Sequence, residues 1–205
     1  MNPVIKKPSE CSLQELEDFA ELVIEGGQVA RAGLENRMRR AKLLAFGYED
    51  GKLVGVVAIK KASWFYVRDV FGKANEPDQA VDYRYELGWG FTLPDYRRRG
   101  ITTELSQMLM DNSRDCNLFG TTGTGNEASK RILEKYGFEM CGSPYPGRTE
   151  FKQLYVRKLT TGSDLGTWFL KNADLLLREA EKSNSYRYLL NTFRRTSKTR
   201  VTGVH

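Results

Sequence analysis

The chain has 205 residues, with 32 Lys plus Arg against 26 Asp plus Glu, a net charge of +6, and 40% hydrophobic residues. That length suits one domain with an appendage and buries an ordinary core without disulfide or metal staples. The longest apolar run, Leu53 to Ile59, is seven residues, against the roughly 20 of a membrane helix, and the opening MNPVIKKPSECSLQELE has no apolar signal core, so the expectation is a cytoplasmic protein with no membrane partner.

In chain order, VIKK closed by Pro8 reads as a short first strand. Ser12 with Glu15 forms a capping box, and Leu13, Leu16, Phe19, Ala20 and Val23 recur at helical spacing, predicting a helix over 13–25 that ends at Gly26-Gly27. A shorter Arg-rich helix spans Leu34 to Ala41. KLLAFGYE and KLVGVVAIKK flank Asp50-Gly51, a dipeptide suited to the positive φ angles of a tight hairpin. From Ala62 to Tyr85 the sequence is aromatic but irregular, with Trp64, Phe65, Tyr66, Phe71, Tyr83 and Tyr85 around Gly72 and Pro77. It reads as a loop that covers core or lines a pocket.

YELGWGFTL is a strand ended by Pro94. The charged turn DYRRRG and a helix with Ile101, Leu105, Met108 and Leu109 on its apolar face follow. Leu118 to Thr121 is a short strand and Asn126 to Tyr136 a helix closed by Gly137; FEMCG and FKQLYVRKL complete the strands. The boundary falls near 160, giving a first domain at 1–160 and a basic helical extension at 161–205. There Leu165, Trp168, Phe169, Ala173, Leu176 and Ala180 make one apolar stripe, and Tyr186, Leu189, Leu190 and Phe193 a second. From Gly162 onward 8 basic residues face 4 acidic ones, so this extension carries +4 of the +6. It suits a solvated helix face, a polyanion such as nucleic acid, or a second subunit of a homodimer.

The one histidine is the last residue, His205, which excludes a histidine base, a Ser-His-Asp triad and histidine metal ligands. Cys11, Cys116 and Cys141 are far apart with no C-x-x-C pair and read as reduced packing thiols, so no metal is expected. The most informative stretch is a strand, then Tyr96-Arg97-Arg98-Arg99-Gly100-Ile101-Thr102, then a helix. Free N–H groups at such a turn, together with the helix dipole, form an anion site suited to a pyrophosphate, and Gly100 lets the backbone approach it. The stretch matches neither the Walker loop nor the G-x-G-x-x-G dinucleotide fingerprint.

GWGFTLPDYRRRGIT followed by NEASKRILEKYGF at 126–138 resembles the GNAT acyltransferase superfamily. The resemblance covers about residues 3 to 159 and implies an α/β fold: a mixed, mostly antiparallel sheet flanked by helices, with acetyl-CoA between splayed fourth and fifth strands. It implies that Phe91 and Thr92 contact the pantetheine, that Arg97, Arg98, Arg99, Gly100, Ile101 and Thr102 receive the pyrophosphate, and that Asn126 hydrogen-bonds the pantetheine arm. The sequence departs from the family pattern at Arg98 and Thr102, where the family carries Gly and Gly or Ala, and at Leu133, where many members carry a tyrosine that protonates the departing thiolate. The leaving group then departs unassisted, or another hydroxyl such as Tyr136 or Tyr145 serves, or the site binds an acyl-CoA without turning it over.

An acceptor ammonium must lose a proton before it attacks a thioester, and without histidine a carboxylate beside the cleft is the natural base. Glu86 on the fourth strand is the first choice, a structural pairing with a nearby arginine being the alternative; Asp82 and Glu150 are weaker candidates. The resulting expectation is direct acetyl transfer from acetyl-CoA to a primary amine, with segment 62–85 and the loop Ser143-Pro-Tyr-Pro-Gly147 flanking the acceptor mouth. Two rivals remain open: an acyltransferase directed to nucleic acid, tRNA included, through its basic tail, and a non-catalytic acyl-CoA-binding module.

Overall fold

Two nearly continuous apolar runs, buried on both faces, and the Asp50-Gly51 turn build the centre of the molecule. In the computed structural model, which describes residues 1–27 and 29–159, β2 (Leu43–Glu49) and β3 (Lys52–Lys61) form the expected hairpin. Asp50 and Gly51 take φ values of 49° and 77°, the left-handed conformation that a two-residue turn demands. The remaining strands are β1 (Asn2–Lys6), β4 (Tyr85–Thr92), β5 (Leu118–Gly123), β6 (Glu139–Pro146) and β7 (Phe151–Arg157). Together they make a seven-stranded sheet of order β1-β2-β3-β4-β5-β7-β6, antiparallel throughout except for the parallel pair β4–β5. The chain divides into two units, Met1–Leu159 and Thr160–His205. The expected extension at 161–205, its basic tail and His205 lie outside the described residues.

Helices cover both faces. On one, α4 (Ile101–Asp111) and α5 (Glu127–Lys135) pack Ile101, Leu105, Leu109 and Leu133 against Leu87 and Tyr155. On the other, α1 (Leu13–Glu25) and α2 (Leu34–Met38) bury Phe19, Val23, Leu34 and Met38 against Phe46 and Val56. The first helix starts where its capping box predicts: Ser12 Oγ accepts from Glu15 N at 3.2 Å, and Glu15 Oε2 accepts from Ser12 N at 2.9 Å. The second is shorter than expected and ends at Met38. In α4 the buried methionine is Met110, while Met108 is only half-buried.

The largest departure is the aromatic segment. It is not a loop but α3 (Trp64–Lys73) followed by a 3-10 turn at Pro77–Asp82. Ser63 caps α3 by accepting from Tyr66 N at 3.3 Å. Val67, Val70 and Phe71 are buried at helical spacing, while Trp64 and Phe65 stay exposed on the same helix. Aromatic residues on both faces hide the 3.6-residue period. A second departure follows: Ser143 to Pro146 belong to strand β6, and only the turn at Gly147 is free of it. An irregularity between Cys141 and Tyr145 bends that strand onto α3, with Ser143 N donating to Ala74 O at 2.9 Å. Gly142, at φ 63°, lies against the Ala74 carbonyl, and Gln153 Nε2 satisfies the bulge carbonyls of Cys141 and Gly142 at 3.2 and 3.3 Å.

Among the described residues no helix is long and apolar enough to cross a membrane. The three cysteines are free thiols.

Candidate active site

The site arises where two neighbouring strands part. β4 and β5 are paired only at Tyr85↔Leu118 and Glu86↔Phe119. Beyond Glu86, β4 continues against β3 alone and β5 against β7 alone, so both lips of the opening present a strand edge. A free edge carries N–H and C=O groups directed outward, ready to pair with an extended amide-bearing ligand. The parting is reinforced by a bulge: between Ala58↔Gly88 and Val56↔Phe91, β4 carries one residue more than β3. Within it Trp89 adopts φ 55°, a conformation rare outside glycine and costly for a bulky residue.

Period-two alternation sends Glu86 and Leu87 to opposite faces at this point. Leu87 enters the core under α4 and α5. Glu86, only 3% exposed, faces the other way into a polar cluster. Its Oε1 accepts from the Tyr66 hydroxyl at 3.3 Å and from Thr121 Oγ1 at 3.4 Å. Its Oε2 lies 2.5 Å from Lys60 Nζ, delivered from the cross-strand position Lys60↔Glu86. That approach departs from hydrogen-bond geometry, so the contact is chiefly charge on charge. The ammonium also lies 5.5 Å from the Trp89 ring centre and 5.8 Å from that of Tyr66. The partner of Glu86 is therefore a lysine, not an arginine. Burial, then the nearby Glu86 charge, holds the Tyr66 hydroxyl well above its ordinary pKa; the same two causes raise Tyr145. Both phenols stay protonated and are donors at neutral pH.

The turn after β4 is the second half of the site. Arg97 Nε donates to Thr92 O at 3.1 Å and its guanidinium lies 5.6 Å from the Phe91 ring, so this arginine secures the end of β4. Arg99 turns towards Asp95 O at 3.0 Å and Glu49 at 3.4 Å. Arg98 takes φ 63° and, among the described residues, makes no ion pair or hydrogen bond. Gly100, at φ 80°, caps α4. From Arg98 to Thr103, no N–H group has an acceptor among the described residues, and the first such bond into α4 is Glu104 N to Gly100 O at 2.9 Å. Six adjacent donors at the positive end of an eleven-residue helix, beside three guanidinium groups, suit a pyrophosphate.

Thr102, the departure from the family pattern, tucks inward: its Oγ1 lies 2.8 Å from Thr92 Oγ1, and its methyl would sit 3.5 Å from a Cβ at Gly90. It latches α4 to β4 and leaves its backbone N–H exposed to a ligand. Ile101 is buried at 4%, so only its main chain serves the turn. Phe91 is half-buried against Gly26, and Thr92 is buried on its hydroxyl latch; their main chain lies on the lip of the opening. Asn126 is the N-cap of α5, its Oδ1 accepting from Ser129 N at 3.1 Å.

Tyr136 is one of the hydroxyls that the sequence offers for the departing thiolate. Its hydroxyl donates to Thr103 O at 2.6 Å and ties the end of α5 to α4. Tyr136→Phe is expected to cost about 1 kcal/mol of stability, the worth of one such bond, read as a lower urea midpoint, while turnover stays within about twofold of the parent. A loss of turnover near a hundredfold would return the tyrosine to the chemistry. Leu133, buried at 5%, packs on Gly120 of β5, where an added Cβ would lie 2.8 Å from its Cδ2, so an apolar group covers the parting point from the α5 side. Asp82 is exposed, its carbonyl held by Asn117 Nδ2 at 3.1 Å. Glu150 is exposed over Gly123 and paired with Lys152 at 3.0 Å. Neither carboxylate has the burial of Glu86. Sequence reading missed Lys60 and Thr121, and named Tyr66 only among the aromatics of 62–85; the three come from three elements and meet only through strand register and the unforeseen α3.

Comparison with known proteins bears on the fold and the family. No curated protein matches the sequence. An acyl-CoA N-acyltransferase from Pseudomonas aeruginosa superposes with a TM-score of 0.57 at 13% identity, over 76% of this chain and 98% of that one. The ribosomal-protein-S18-alanine N-acetyltransferase from Escherichia coli gives 0.56 at 14% identity, over 79% and 97%. The protein yncA from Salmonella typhimurium, solved with its cofactor acetyl-CoA, gives 0.53 at 15% identity, over 78% and 96%. At such identities these likenesses concern the fold. The family model for the acetyltransferase (GNAT) domain, however, matches residues 11–139, and the chain belongs to the GNAT acetyltransferase family.

Proposed function

We propose that this chain transfers an acetyl group from acetyl-CoA directly to a primary amine, with Glu86 as the group that takes the amine's proton. Membership of the family supports acyl-CoA-dependent acyl transfer in general. The observation that carries the finer reading is the position of Glu86: a buried carboxylate at the last paired residue before β4 and β5 part, held by Tyr66, Thr121 and Lys60. Acetyl-CoA would enter from the α4 side, its pyrophosphate on the N–H groups of Arg98 to Thr103 and its pantetheine along the free edge of β4 near Phe91. The thioester then lies near the parting point, with the amine arriving from the α1–α3 face, where Glu86 receives its proton directly or through one water. Since no tyrosine replaces Leu133, the thiolate departs on its own basicity, near that of an ordinary thiol, and takes a proton from the attacking nitrogen or solvent.

Release of free CoA from acetyl-CoA by a panel of primary amines tests this. The expected result is amine-dependent release with a monoacetylated product. A second reading, binding of an acyl-CoA without transfer, draws on the apolar cover that Leu133 provides at the parting point. It predicts acetyl-CoA bound tightly and recovered intact under every amine tried.

A further inference from the structure

Lys60 carries more than a counter-charge. Its side chain crosses the face of β4 above Gly88, where an added Cβ would lie 2.9 Å from its Cε and 3.1 Å from its Nζ. Gly88 is two residues past Glu86, the last residue of β4 paired with β5, so the ammonium sits over the stretch where the strands separate. No side chain at Gly88 stands between that nitrogen and the strand, and the rings of Trp89 and Tyr66 hold it laterally. The nitrogen is therefore fixed beside the position the thioester takes in the reading above, and the carboxylate that deprotonates an amine already touches it at 2.5 Å. An external amine has to reach this geometry by binding; Lys60 occupies it by folding, which is the advantage of an intramolecular reactant.

We propose that Lys60 is an acyl acceptor of the bound acyl-CoA, modified in cis within its own chain. This rests on the reading that an acyl-CoA occupies the β4–β5 opening. In the step, Glu86 takes one proton from the ammonium and the neutral Nζ attacks the thioester carbonyl carbon. A C–N bond forms and the C–S bond breaks. The second nitrogen proton goes to the departing thiolate, giving free CoA and an amide at Nζ, and the proton on Glu86 passes to solvent. The reaction stops after one acyl group, because an amide nitrogen is no longer nucleophilic. It also removes the cation from beside Glu86.

The test incubates the purified full-length chain with carbon-labelled acetyl-CoA and no added amine, followed by intact-mass and peptide mass spectrometry. The expected result is one acetyl group per chain on Lys60, incorporated at least about tenfold faster than on exposed lysines such as Lys52 and Lys73. Glu86→Gln is expected to slow this incorporation by about a hundredfold or more, and Lys60→Arg, verified as folded by circular dichroism, to abolish the label. Label that persists in Lys60→Arg, or that reaches exposed lysines as fast as Lys60, overturns the proposal. CoA release by an added amine without label on Lys60 also overturns it and leaves the acetyltransferase reading standing. Failure of both, with acetyl-CoA unbound, removes the two together.

Discussion

Replacing Glu86 by glutamine is expected to lower the turnover of an acetyl-accepting amine by about 10²–10⁴-fold, the usual contribution of a positioned general base. The amide is nearly isosteric and still accepts from Tyr66 and Thr121 through its carbonyl oxygen, so the cluster keeps its shape. It can no longer take a proton, and it leaves Lys60 without its charge partner at 2.5 Å. The acetyl-CoA KM should change little, because the carboxylate lies on the sheet face away from α4 and contacts none of the pyrophosphate donors. Steady-state kinetics therefore separates the roles: a fall in kcat with an unchanged acetyl-CoA KM supports the proton-accepting role, while equal turnover in the two proteins removes it. Removal of one member of a buried ion pair also costs stability. Circular dichroism and the urea midpoint of the variant are needed beside the rates, and a cooperative transition with reduced midpoint is the expected outcome.

Both halves of this site were legible in the sequence to different degrees. Local signals carried through: the capping box at Ser12, the Asp50-Gly51 turn, and Gly100 between the arginines and an amphipathic helix each act within a few residues and appear where they were read. Glu86 is a candidate on two grounds: the lack of an internal histidine turns attention to carboxylates, and the family resemblance implies a glutamate on the fourth strand, where Glu86 sits among Tyr85, Leu87 and Trp89. The contacts around Glu86 were not legible, for a physical reason. Lys60 lies opposite it only because 23 intervening residues, 62 to 84, return the chain in one particular antiparallel register. Tyr66 points at it only because that segment opens as a helix capped by Ser63. Thr121 arrives through a parallel pairing of two residues. Register and crossover are non-local, and periodicity carries no information about them. Tyr136 is a related case: family spacing places it at a position that normally packs, three residues after Leu133, and its 2.6 Å bond to Thr103 O is such a packing contact.

The second large effect is expected at Gly100, where conformation and charge can be separated by two variants of nearly equal shape. The residue holds φ 80° at the N-cap of α4, next to the free N–H groups of Arg98 to Thr103. Asn and Asp both tolerate the left-handed conformation better than other side chains, so each pays a similar and modest backbone cost. Only Asp places a negative charge among the donors and guanidinium groups that would receive a pyrophosphate. Two like charges about 4 Å apart near a protein surface repel by about 4 kcal/mol before screening, of which roughly half survives at physiological salt. Gly100→Asp should accordingly raise the acetyl-CoA KM or Kd by about 30- to 100-fold relative to Gly100→Asn. The gap should narrow as ionic strength rises, since the Debye length falls from about 10 Å at 0.1 M to about 3 Å at 1 M. An equal effect of the two variants would mean that backbone strain alone is felt at this position and that the pyrophosphate lies elsewhere. A charge-specific, salt-sensitive loss places it on the turn. Measured by calorimetric titration of CoA, the comparison needs no acceptor amine and remains informative whatever substrate the aromatic face of α3 admits.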